Sequence, residues 1–101
     1  MNLVYTTCSS EKEAATIAKT LLEQKLIGCA NILPSRSLYR WKGKIHDEKE
    51  TVLLCKTNQK ENVMKEIKKL HSYEFPIIFT IPVKDIDPKY SAWLENTLDE
   101  Q

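Results

Sequence analysis

A long β-hairpin can be read from residues 27 to 58, and few small folds accommodate one. "IGCANIL" (27–33) is a strand entered through Gly28. Pro34-Ser35 interrupts it, which suits a bulge or an edge position, because proline cannot donate to a β-ladder. The strand resumes as "RSLYRWKGKI", where period-two alternation puts Tyr39, Trp41 and Ile45 on one face and Arg36, Arg40, Lys42 and Lys44 on the other. "HDEKE" (46–50) reads as the polar turn. "TVLLCKT" (51–57) then returns, apolar on both faces and so expected mid-sheet.

The segments around the hairpin complete the plan. "NLVYTTC" (2–8) is β-branched and aromatic, a short strand stopped by serines. Ser10 and Glu13 have capping-box spacing, and Ala14, Ile17, Ala18, Leu21 and Leu22 follow as one helical apolar stripe. "KENVMKEIKKLH" (60–71) sets Val63, Ile67 and Leu70 at helical spacing, with lysines in the last turn where the helix dipole favours them. "PIIFTIPV" (76–83) is the next strand. Asp87-Pro88 is an N-cap followed by a first-turn proline, opening a helix that carries Tyr90, Trp93, Leu94 and Leu98. The order β-α-β-β-α-β with a terminal helix predicts an α+β, ferredoxin-like sandwich with an extended β2–β3 hairpin, as one domain over residues 1–101.

The outer part of the hairpin exceeds what the first strand can pair with, and it carries Tyr39 and Trp41. Exposed aromatics on such an edge invite pairing with another chain, so Tyr39, Trp41 and Ile45 are expected at a subunit interface rather than under the terminal helix. A chain of 101 residues also has only a modest core of its own.

Composition narrows the function classes. Fifteen basic and fourteen acidic residues leave a net charge of +1, which does not favour binding to a phosphate backbone. "TVLLCKT" lacks the stacking aromatics of an RNA-binding sheet, and "SSEKE" lacks the arginine of an acylphosphatase-like anion loop. The three cysteines, Cys8, Cys29 and Cys55, form no CxxC pair, so reduced thiols in the cytoplasm are the simplest account. No apolar run approaches a membrane span, and the N-terminus has no signal-peptide pattern.

"HSYEFP" (71–76) supports two readings. In one it only ends a helix: His71 interacts with the dipole, Tyr73 and Phe75 enter the core, and Glu74 is a turn acid. In the other, His71 and Glu74 are ligands for a cation, joined by a cysteine brought close in space; imidazole, carboxylate and thiolate together suit Cu(II) or Zn(II). Paired carboxylates occur only as Asp47-Glu48 and Asp99-Glu100, in a turn and a tail, and neither suggests acid–base chemistry.

"VYTTC", "IGCANILP" (27–34), "SLYRWKGKI" (37–45), Glu50 with "LLCKT" (53–57), "HSYEFP", and Tyr90 with Trp93 occur in this order over nearly the whole chain. In this combination the sequence resembles the CutA family, the divalent-cation tolerance proteins. The resemblance implies a ferredoxin-like protomer and a tight homotrimer whose hairpins pack on neighbouring sheets. It also implies a link to copper and other divalent metals, and a likeness to the PII-type signalling trimers. Cys29 matches the family's cysteine at the start of the second strand, so Cys29, His71 and Glu74 are the expected metal ligands in a cleft between subunits, with copper the leading ion. Lys56, which with Thr57 also matches the family, is expected to face that cleft opposite Glu74 or a bound anion. The alternative is a PII-like trimer in which Lys56, Tyr39, Trp41, Tyr73 and Trp93 line a small-ligand pocket and metal has no role. Ser72 and Ile77 depart from the family's usual proline and glutamate. Cys29 with His71 lacks the orienting group and oxyanion hole that a nucleophile–base pair needs, so no enzyme is expected.

Overall fold

In a computed structural model, residues 1–99 are described; Glu100, half of the tail carboxylate pair, lies outside them. The elements are β1 (Asn2–Cys8), α1 (Glu11–Glu23), β2 (Cys29–Trp41), β3 (Lys44–Thr57), α2 (Lys60–Leu70), β4 (Ile78–Pro82) and α3 (Pro88–Asp99). The sheet is antiparallel in the order β2-β3-β1-β4, the ferredoxin-like arrangement expected from the element order.

Local chemistry starts the helices where it should. The Ser10 hydroxyl accepts from the Glu13 N–H at 3.1 Å, while the Glu13 carboxylate takes the N–H and hydroxyl of Ser9, both at 2.9 Å. This is a capping box shifted by one residue on its return side. At α3, Asp87 accepts from the Lys89 N–H through its side chain and from the Ser91 N–H through its carbonyl. Ala14, Ile17, Ala18 and Leu21 of α1 and Val63 and Ile67 of α2 pack on Val4, Cys8, Leu53 and Cys55 of the sheet. Leu22, expected in that stripe, lies at its margin and is exposed, as is Leu70.

The hairpin departs from expectation at its turn. The chain reverses at Lys42-Gly43, with φ of 50° and 76°, a two-residue turn whose positive dihedrals match the strand twist. "HDEKE" lies inside β3. Its charge density suits an outer ribbon with solvent on both faces. Pairing runs without a slip from Cys29↔Lys56 to Trp41↔Lys44, so Pro34 sits opposite Thr51 on an edge strand with no bulge. Because Trp41 pairs with Lys44, Ile45 pairs with Arg40 and lies on the opposite face from Tyr39 and Trp41. Ile45 and Lys44 have therefore exchanged the faces expected of them. At ~3.3 Å per residue, the 14 residues of β3 span the 46 Å long axis of the chain.

The helices α1 and α2 pack on one face of the sheet. The other face shows Leu3, Tyr5, Leu33, Leu54, Phe79 and Ile81, side chains the register places together, and Phe79 stacks on Tyr5 at 4.5 Å. The helix α3 reaches only one end of this face. It approaches so closely at Gly28 that a Cβ there would collide with Leu94 Cδ1. Tyr39 and Trp41 stay uncovered, 40% and 51% exposed.

Candidate functional site

Three chain segments end at the same corner of the sandwich: β1 at Cys8, α1 at its first turn, and α2 at its cap residue His71. α2 packs against β1, so its last residue is delivered to the end of that strand. The His71 Nε2–H donates to the Thr7 carbonyl at 2.7 Å, and His71 Nδ1 accepts from the Tyr73 N–H at 3.1 Å. A carbonyl can only accept, so the first bond places the ring proton on Nε2. Nδ1 then faces Glu13 Oε2 at 4.0 Å. Cys8 completes the corner: a ligand atom from each of Cys8, Glu13 and His71 lies within 4.8 Å of the others, the one group of this kind among the described residues.

Electrostatics at the corner are uneven. Burial works against the Glu13 charge, but hydrogen bonds from Ser72 and Ser9 outweigh it and hold the carboxyl down to about 2. Burial, reinforced by the charges of Glu13 and Glu50, pushes the Cys8 thiol up to about 12. An anionic carboxylate thus sits beside a protonated thiol and an imidazole with a lone pair on Nδ1.

Around the edge from this corner lies an open cleft of about 1090 Å³ on the uncovered sheet face. Tyr5 and Phe79 form its floor, Tyr39, Trp41, Glu48 and Glu50 of the hairpin one wall, and Tyr73, Glu74 and Phe75 of the turn the other. Tyr73 Oη donates to Glu50 Oε2 at 2.8 Å; burial, followed by this hydrogen bond and the Glu50 charge, pushes its hydroxyl pKa up. Phe75, a core residue in the simpler reading of the turn, is 78% exposed here. Asp47 and Glu48, adjacent on a strand, point to opposite faces: Asp47 holds Arg36 in a two-pronged ion pair, and Glu48 faces the cleft.

The sequence-derived residues therefore divide. Tyr39, Trp41, Tyr73 and Glu74 meet in the cleft, and His71 stands behind its rim. Cys29 pairs with Lys56, which pairs in turn with Leu3, so Cys29 is on the face away from α1 and α2 and level with the far end of β1 from Thr7, about 13 Å along the strand. Within one chain it does not join His71, either as a ligand or as a nucleophile. Lys56 contacts neither Glu74 nor the cleft: its Nζ is 3.8 Å from Cys29 Sγ and 5.5 Å from the Tyr90 ring, with Trp93 beside Tyr90. Cys8 and Glu13 were missed as partners of His71. In the sequence Glu13 reads fully as a capping acid and Cys8 as the end of a strand, and nothing local draws them to residue 71.

The profile of the family described as "CutA1 divalent ion tolerance protein" matches residues 2–97. The chain belongs to the CutA family. It is 41% identical over 96 residues to the "Divalent-cation tolerance protein CutA" of Pyrococcus horikoshii, covering 93% of this chain and 94% of that one. The crystal structure of CutA1 from the same organism superposes with a TM-score of 0.94 at 37% identity, over 99% of this chain and all of that one. A structure from Archaeoglobus fulgidus, described as a periplasmic divalent cation tolerance protein, gives 0.92 at 36% identity, covering 97% and 98% of the two chains. A Nostoc protein described as PII-like gives 0.88 at 27%, covering 97% of each. CutA proteins are named for cation tolerance rather than for a reaction, so the family points to no catalytic class. Among the described residues no helix is long and apolar enough to cross a membrane.

Proposed function

We propose that this CutA-family chain works as a homotrimer that binds divalent cations, copper foremost, at the turn 71–76 where it borders the intersubunit cleft. The observation that carries this reading is the uncovered sheet face. It is apolar and aromatic at its centre, and its cleft is walled by Glu48, Glu50 and Glu74. The hairpin tip bears Arg40, Lys42 and Lys44 around Trp41, a basic and aromatic finger whose charge complements that cleft. A neighbour's hairpin laid across the face covers both, and three such contacts close a ring. His71 supplies an imidazole at the cleft's edge, with Glu74 on the same turn. Cys29 enters only if a neighbouring subunit carries it there. Three free cysteines fit a reducing compartment and support a cytoplasmic location.

The test is calorimetric titration of Cu(II) into wild type and His71→Ala, with the mass followed by light scattering. A three-chain particle that binds saturably, near one ion per chain, and loses binding in the mutant supports the reading. A second reading, a PII-like trimer holding a small anion, is favoured by the Lys56 ammonium over Tyr90. It predicts identical Cu(II) binding in both proteins.

A further inference from the structure

The corner where β1, α1 and α2 end is more than a locked turn. We infer that Cys8, Glu13 and His71 of a single chain form a three-ligand site for a borderline divalent cation of the Cu²⁺/Zn²⁺ class. This rests on the proposal that the chain binds divalent cations, and it names ligands of which two are absent from the set read in the sequence.

Three observations support it. The donor set is mixed: one sulfur, one carboxylate oxygen and one imidazole nitrogen, which together select borderline metals over Mg²⁺ or Ca²⁺. The second shell is already built. His71 gives its Nε2–H to the Thr7 carbonyl, the bond that orients metal-ligating histidines and turns the other nitrogen inward. Ser9 likewise clamps Glu13 Oε1 through both its N–H and its hydroxyl, leaving Oε2 toward the histidine.

The third observation concerns what now fills the site. Two of the three donors a cation would need, His71 Nδ1 and Glu13 Oε2, are taken by the N–H groups of Tyr73 and Ser72, and the third, the Cys8 thiol, releases its proton to solvent as the metal–sulfur bond forms. These are consecutive amides of one turn whose residues Ser72, Glu74 and Phe75 are exposed. A cation enters by displacing that short turn, with α1, α2 and β1 left in place. Tyr73 leaves with the turn and gives up its hydrogen bond to Glu50 of β3, so occupation of the corner repositions one wall of the cleft.

The test uses Zn²⁺ and Co²⁺, which do not oxidise thiols as Cu²⁺ does, on the full chain. Co²⁺ bound by a thiolate shows a sulfur-to-metal charge-transfer band in the near ultraviolet. We expect that band in wild type and undiminished in Cys29→Ser. It should be lost in Cys8→Ser, and Zn²⁺ should bind at least tenfold more weakly to Glu13→Gln. Should Cys8→Ser not fold, the spectrum of Cys29→Ser/Cys55→Ala decides, since Cys8 is then the one thiol left to give the band. A band that disappears with Cys29→Ser overturns the inference. So does Zn²⁺ binding that weakens in Glu74→Gln but not in Glu13→Gln. Cation binding lost in His71→Ala with no sulfur band in wild type refutes this ligand set while leaving the proposed function standing. No cation binding in wild type refutes both.

Discussion

Glu13 ties the start of α1 to the turn that follows α2, and replacing it with glutamine should make part of the stability depend on pH in a defined way. The carboxylate accepts from Ser9 twice and from the Ser72 N–H, each at 2.9 Å. These bonds lower its pKa from 4.5 to about 2 against the opposing effect of burial. At ~1.36 kcal/mol per unit the shift sets a ceiling of about 3.4 kcal/mol. Solvent at the rim of the corner lowers this to about 2 kcal/mol. Because the folded value is depressed, the contribution is complete above the unfolded pKa near 4.5 and fades as pH falls toward 2. Glutamine keeps an acceptor oxygen but not the charge. Urea unfolding at a fixed chain concentration, from pH 7 down to pH 2.5, should show Glu13→Gln about 2 kcal/mol less stable at neutral pH. The gap to wild type should close below pH 4. A gap that persists unchanged to pH 2.5, or one that is absent at pH 7, refutes the claim that the ionised carboxylate holds the corner.

Gly28→Ala sets a methyl against Leu94 Cδ1 and beside the Trp93 ring, so α3 must shift; a loss of ~1–3 kcal/mol in thermal or urea unfolding is expected. Lys42→Asn puts a residue tolerant of left-handed backbone at φ 50° and should raise stability by ~0.5–1 kcal/mol, read as a higher melting temperature. Trp41→Ala removes a ring that is 51% exposed in the isolated chain. It should leave the far-ultraviolet circular dichroism of the protomer intact and shift light scattering toward monomer on dilution; a trimer of unchanged melting temperature refutes the docked hairpin.

Much of the architecture was legible because it rests on local physics. Ser10 with Glu13 and Asp87 with Pro88 mark helix starts through hydrogen bonds within one turn of chain. "TVLLCKT" announces a central strand because it is apolar on both faces: Leu53 and Cys55 are buried under the helices, and Leu54 lies half-buried on the open face of the sheet. The hairpin turn was misplaced for a local reason too. Five polar residues look like a loop, whereas the two-residue Lys42-Gly43 reversal leaves only one glycine as its trace. That error carried Ile45 to the wrong face, since a shift in the reversal point changes which residues stand opposite one another.

The candidate site divides along the same line. His71 and Glu74 stand out in the sequence because a polar pair sits among aromatics at a helix end. Their neighbours do not, since Thr7 and His71 are 64 residues apart and meet only because α2 packs on β1. Periodicity, capping and turn residues fix which stretches are helix or strand and where apolar faces lie, because those preferences act between residues a few positions apart. The packing of the two helices on one face, with the order β2-β3-β1-β4, decides that Cys8 and Glu13 surround His71 and that Cys29 faces the other way. Those contacts depend on which surfaces bury one another, a property of the whole assembled sheet that no single segment carries.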